Sequence, residues 1–263
     1  MSHSLVTRHL PRPGGDCPYR ICGTGPAVVL IPSLGRGSED FDLLLPTLAG
    51  AGLRLILPEP RGIEGAPPLR AGDTLHEMAA DIAAIIEAEG AGPAVLAGHA
   101  AGNWVARVLA HDRPELTRAV ALLAAIVTHE VPAEVRASIS GSFHMSLTDE
   151  ARLAHLRRVY FAPGADAAVW LGGWWPQVAA QQRAAAKLTV DQDWQRVADR
   201  HPTLYVGAEA DVISPPPARD ALRAAIGPKA ECVVIADAGH ALLPEQPQAV
   251  ARALAGWIAG LPG

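Results

Sequence analysis

The stretch Ala94-Val-Leu-Ala-Gly-His-Ala-Ala-Gly-Asn-Trp-Val105 constrains this chain more than any other. The apolar run Ala94 to Ala97 reads as a strand buried on both faces, and the amphipathic segment ending near Asp112 reads as a helix. Only Gly98-His99-Ala100-Ala101-Gly102 lies between them. A strand that turns so abruptly into a helix needs glycine at both ends of the turn, and it thrusts the middle residue up at the carboxyl edge of the sheet. That middle residue is Ala100, which offers no hydroxyl, thiol or carboxylate.

The rest of the chain is consistent with that unit. Residues 5–10 and 18–22 can pair as two strands across the turn Pro11-Arg-Pro-Gly-Gly15. Ala27 to Ile31 is a continuous apolar run of the kind found in a parallel sheet covered on both faces. After Pro32-Ser-Leu-Gly-Arg-Gly37, a helix is expected from Ser38 to Ala51, with Phe41, Leu44, Leu45 and Leu48 on one side. Leu53 to Leu57 reads as a strand closed by Pro58-Glu-Pro-Arg-Gly62. Thr74 to Ala88 reads as a helix, and Ala119 to Ala124 as another strand. Strand and helix in alternation imply an α/β fold, with a mostly parallel sheet, right-handed crossovers and helices on both faces. Ligands in such sheets bind beyond the carboxyl ends of the strands.

Between Val127 and Asp199 the alternation stops. Helical pieces are expected at Leu147–Phe161, Ala165–Leu171, Val178–Lys187 and near Asp193. The sheet resumes with Thr203–Val206, a helix over Pro217–Ala225, the strand Glu231–Ala236 and a final helix, Pro247–Ala259. The expected organisation is therefore a core of residues 1–127 and 200–263, with a helical lid, 128–199, inserted after the sixth strand.

Composition narrows the function. A net charge of −5 leaves no basic stripe, which argues against nucleic acid as a partner. The longest apolar run, Ala119 to Val127, is too short to cross a bilayer, so no membrane partner is expected. The N-terminal stretch lacks the apolar core of a signal peptide. The three cysteines, Cys17, Cys22 and Cys232, form no metal-ligand grouping. Cys17 and Cys22 could meet across a hairpin, but free buried thiols in a reduced, cytoplasmic protein are the expectation. No metal or organic cofactor is suggested, because no glycine loop for phosphate opens a first helix. A monomer or a homodimer is expected.

Two further loops carry chemistry. Gly207-Ala-Glu-Ala-Asp211 follows a strand and presents an acid that could orient an imidazole. Asp237-Ala-Gly-His240 follows the last strand, with Pro244-Glu-Gln-Pro247 just beyond. The order elbow, Asp, His, together with Gly239-His240, Pro244–Pro247 and Glu59-Pro-Arg-Gly62, resembles the α/β-hydrolase family nearly end to end. The resemblance implies a site of Ala100 at the nucleophile position, Asp211 as orienting acid and His240 as base. It also implies backbone N–H groups of Leu34 and Ala101 as the oxyanion hole, since Pro32-Ser33-Leu34 lies where many members have His-Gly-x. Glu130 is a competing acid, ranked below Asp211 because it lies several residues past its strand.

Alanine at position 100 departs from the family pattern. No acyl-enzyme can form there, and the aspartate-nucleophile chemistry of dehalogenases and epoxide hydrolases is excluded for the same reason. Two explanations stand: an engineered Ser→Ala form, or a native alanine, as in the bacterial relatives this stretch resembles. In the second case Asp211–His240 acts on water or on a substrate proton. Trp170, Trp174 and Trp175 with Phe143, His144, Tyr160 and Phe161, and Trp104 behind the elbow, suggest a pocket for a small apolar carbonyl substrate, an aryl ester or lactone. His99 and Ser33 are further candidates for its wall. The rival function is a small-ligand-binding protein that keeps the pocket without catalysis.

Overall fold

The computed structural model describes residues 4–262. Eight strands form one sheet: β1 (Val6–Leu10), β2 (Cys17–Cys22), β3 (Ala27–Ile31), β4 (Arg54–Pro58), β5 (Ala94–His99), β6 (Thr117–Leu123), β7 (Thr203–Ala208) and β8 (Ala230–Ile235). Their spatial order is β1-β2-β4-β3-β5-β6-β7-β8. β2 runs antiparallel to both β1 and β4, and every other pairing is parallel.

The helices are α1 (Leu45–Gly50), α2 (Leu75–Ala88), α3 (Gly102–Asp112), α4 (Ala133–Ser142), α5 (Asp149–Val159), α6 (Pro176–Leu188), α7 (Arg219–Ile226), α8 (Leu242–Glu245) and α9 (Pro247–Ala259). None of these is long and apolar enough to cross a membrane. The two-sided burial expected of parallel strands is observed. Val29, Ile31 and Leu96 pack with α2 and α3 on one face, while Val28, Leu30, Val95 and Ala97 pack with α1 and α9 on the other. Thr74 starts α2 with a reciprocal capping box, accepting from the His76 N–H while Glu77 accepts from the Thr74 N–H.

Several boundaries differ from the sequence expectation. The helix expected over Ser38–Ala51 is a 3-10 stretch, Ser38–Leu44, followed by α1, because Pro46 has no N–H to continue an α-helical ladder. The whole of α4 goes unanticipated: its buried residues are Val135, Ser138, Gly141 and Ser142, too small and polar to show an apolar stripe. Ala165–Leu171 shrinks to one 3-10 turn, Ala167–Trp170, and the piece near Asp193 is a 3-10 stretch with Arg196 out of helical conformation. Cys17 and Cys22 lie on the same strand, β2, and so cannot meet across a hairpin; both are free and buried, and Cys232 is free and exposed.

Three of the four non-glycine residues held at positive φ among the described residues gather at one edge of this sheet, the fourth being Glu64 in the loop after β4. Ala100 (φ 44°) follows β5, Ala124 (φ 49°) follows β6 and Asp237 (φ 52°) follows β8. Strain of this kind persists only where packing over-determines the backbone. All three lie just past the carboxyl ends of their strands.

Candidate active site

The elbow is built by close backbone approach. A Cβ on Gly98 would sit 2.5 Å from the Asn103 nitrogen, and one on Gly102 would sit 2.4 Å from the Ile31 carbonyl oxygen. Neither position tolerates a side chain. Between them Ala100 is pinned at its left-handed φ by its own N–H donating to the Leu123 carbonyl at 2.8 Å, while the Asn103 amide donates to the Ala100 carbonyl. The second contact of Gly102 locks the start of α3 against the end of β3, which brings the loop that follows β3 beside the elbow.

Across the sheet edge, Asp211 and His240 meet. His240 Nδ1 lies 2.9 Å from Asp211 Oδ2, and both residues are buried. The Asp211 carboxylate also accepts from the N–H groups of Ile213 and Ser214, each at 2.8 Å, and from the Ser214 hydroxyl at 2.6 Å. Burial pulls its pKa upward, but the imidazole and the Ser214 donors outweigh that and hold it below the ordinary carboxylate range. An acid that stays ionised fixes the imidazole with its proton on Nδ1 and leaves Nε2 as an acceptor. Gly239 carries the histidine loop so close to the chain at Tyr160 that a Cβ there would meet the Tyr160 carbonyl oxygen at 2.5 Å. The Ala241 N–H donates to that same oxygen at 2.7 Å, and Glu245 accepts from the Gly239 and Ala162 N–H groups.

His240 and Ala100 line one cavity of about 110 Å³, together with Ser33, Leu34, Ala101, Trp104, Arg36, Tyr160, Trp170 and Trp174. Neither the Leu34 nor the Ala101 N–H donates a hydrogen bond among the described residues, so two backbone donors stand free on its wall. Phe143, Tyr160, Trp170 and Trp174 form an edge-on aromatic cluster above it. Ser33, Leu34, Ala101 and Trp104 also line a neighbouring apolar cavity with Cys17, Met78 and Ile82.

Other candidate residues fall outside. His144 is exposed in the turn after α4 and does not line the cavity. Trp175 is 38% exposed at the start of α6, and its contribution is a backbone N–H donated to the Gly35 carbonyl at 2.9 Å. His99 is fully buried behind the cavity, with Nε2 donating to the His240 carbonyl at 2.9 Å. Burial and the adjacent His240 push its pKa down to about 3, so it is neutral and acts as a prop for the histidine loop. Glu130 is exposed and lines a different cavity from His240.

Arg36 and Ser214 are not singled out by the sequence, whereas Tyr160 and Phe143, two of the aromatic residues expected in the lid, do line the cavity. Arg36 is buried with its guanidinium 4.7 Å and 4.8 Å from the ring centroids of Trp170 and Trp174. It is paired with Asp40 and donates to the Gly172 carbonyl at 2.7 Å. An arginine inside a glycine-flanked loop after a buried strand was the available signal. The Glu59-Pro-Arg-Gly62 turn proves to be a brace: Glu59 accepts from the Ser38 N–H, and Arg61 reaches Asp73 and Asp81.

A sheet in this order, with a helix launched from the carboxyl end of its fifth strand, defines a protein of the α/β-hydrolase fold. The chain belongs to the alpha/beta hydrolase family, whose model matches residues 28–253. It is 29% identical over 257 residues to "Putative non-heme bromoperoxidase BpoC" of Mycobacterium tuberculosis, covering 91% of this chain and 96% of that protein. The crystal structure of that protein superposes with a TM-score of 0.76, over 94% of this chain and 97% of the other, at 26% identity. A thermophilic esterase from Thermogutta terrifontis has a TM-score of 0.75 at 20% identity, over 98% and 99% of the two chains. The epoxide hydrolase CorEH has a TM-score of 0.73 at 19% identity, over 98% and 100%. At those identities the last two show likeness of fold.

Proposed function

We propose that this chain hydrolyses small apolar esters or lactones by direct attack of water, with His240 as general base, Asp211 as its orienting acid and no covalent enzyme intermediate. Supporting this is the buried Asp211–His240 pair, whose free Nε2 faces a cavity where the Ala100 methyl stands in the nucleophile's place. His240 takes a proton from water as the water oxygen bonds to the substrate carbonyl carbon. The Leu34 and Ala101 N–H groups hold the resulting oxyanion. On collapse, the proton on His240 passes to the departing alkoxide. The helical segment 128–199 serves as a lid, and its aromatic residues favour an apolar, flat substrate. The relatives' names span a bromoperoxidase, an esterase and an epoxide hydrolase, so the substrate class here rests on the cavity. The Ala100 methyl excludes an aspartate-nucleophile route.

The test is turnover of a panel of aryl esters and lactones by this chain and by His240→Ala. General base catalysis typically contributes about 10²–10⁴-fold, so the variant should lose kcat/KM on that order. Equal activity in both would overturn the proposal. The missing nucleophile together with an aromatic cavity supports a second reading, a ligand-binding protein. No turnover in this chain or in Ala100→Ser, with saturable binding of an apolar ligand, would establish it. Turnover in Ala100→Ser alone would instead mark the alanine as an inactivating replacement of serine.

A further inference from the structure

Arg107, in the middle of α3, is a buried cation without a counterion. It is 5% exposed and forms no ion pair among the described residues. Its guanidinium lies 4.8 Å from the Trp194 ring centroid and makes one long hydrogen bond, from Nη1 to the Gln195 carbonyl at 3.5 Å. Nε has no partner, and Nη2 makes no hydrogen bond among the described residues. The other buried arginines differ: Arg36 has Asp40, and Arg152 reaches Asp149 and the Leu171 carbonyl. Burial lowers the Arg107 pKa to about 10, which leaves it charged at neutral pH.

This cation faces a cavity of about 430 Å³ between α3, the loop after β6 and α7. His129 lines the same cavity with a buried Nε2 that also lacks a partner, and Thr128 is a further lining residue. The lining mixes polar groups, including Glu130 and Gln195, with the apolar side chains of Trp104, Ile126, Trp194 and Ile226. Trp104 and Ile126 line the cavity that holds Ala100 and His240 as well, so the two spaces share a wall.

We propose that this cavity binds a small carboxylate with an apolar body, its charge held by Nη2 of the Arg107 guanidinium and its body against Trp194 and Trp104. A guanidinium N–H donating to a carboxylate makes a charge-assisted hydrogen bond, roughly twice as strong as a neutral one. His129 and Thr128 lie on the same lining. Glu130, exposed on the same lining, repels an anion and favours a single negative charge over phosphate. The site is independent of the chemistry at His240.

Calorimetric titration of the full chain with benzoate, benzamide and inorganic phosphate tests this. Benzoate should bind saturably, and its neutral isostere benzamide and phosphate at least ten-fold more weakly. Arg107→Met should weaken benzoate at least ten-fold, and Glu130→Gln should tighten it several-fold. His240→Ala should leave benzoate affinity within two-fold, which separates this site from the candidate active site. Absence of saturable benzoate binding, equal affinity for benzamide, undiminished binding in Arg107→Met, or loss of binding in His240→Ala would overturn it. Phosphate binding as tight as benzoate would overturn the carboxylate assignment. The benzamide comparison uses the unaltered chain, so it decides even if Arg107→Met fails to fold.

Discussion

Two halves of one rim face each other across the cavity, and they are provisioned differently. On the Asp211–His240 side the carboxylate is fully engaged: four donors converge on it, and the histidine loop is propped by His99 Nε2. On the elbow side the backbone is strained, the N–H groups of Leu34 and Ala101 have no partner among the described residues, and Ala100 ends in a methyl group. One half presents a buried, hydrogen-bonded carboxylate–imidazole pair, whereas the elbow half presents a strained turn ending in a methyl group. The two can be separated experimentally because they fail in different ways.

The largest effect is expected at Asp211. Asp211→Asn removes the charge that orients His240 and spoils hydrogen bonds to a charged acceptor, each worth about 1.5–3 kcal/mol. A loss of at least one such bond in denaturant melts should accompany a fall in kcat. Because the folded-state pKa of Asp211 is depressed, its contribution is fully present above the ordinary carboxyl value of about 3.9 and is lost as pH falls through the lower folded value. The asparagine variant should therefore show a shallower loss of stability on acidification below about pH 4.

On the elbow side, Gly98→Ala forces a Cβ to within 2.5 Å of the Asn103 nitrogen. Overpacking of that kind costs about 1–3 kcal/mol, readable as a lowered midpoint of unfolding. The smallest effect belongs to Ala100→Gly, which goes the other way. Left-handed strain at an alanine is worth about 1–2 kcal/mol, and the added chain entropy of glycine offsets about half to 1 kcal/mol of it. A slightly more stable protein is expected; a destabilised one would mean that Ala100 carries no strain.

Much of this rim was legible in the sequence because its parts are tied to backbone necessity. Gly98 and Gly102 are demanded by close approach, and Asp211 and His240 each follow a recognisable buried strand. What escaped was whatever depends on direction. Aromatic composition placed His144 and Trp175 at the pocket, but nothing in the sequence says that one sits in an exposed turn and the other lends only its backbone. Arg36 was hidden because its partners, Asp40, Trp170, Gly172 and Trp174, come from both sides of the sheet's carboxyl edge. Helix α4 was hidden because serine, glycine and alanine carry almost no apolar periodicity. Pro46, by contrast, was an available signal for the break between the 3-10 stretch and α1.

The proposed catalysis by His240 forms no acyl-enzyme. The most direct measurement is a rapid-mixing trace of p-nitrophenol release from an aryl ester found by the substrate panel, with enzyme at substrate-like concentration. Release by the unaltered chain should be linear from the first milliseconds, while Ala100→Ser should show a burst equal to the enzyme concentration. A stoichiometric burst from the unaltered chain, or no release at all, would contradict direct attack of water at this site.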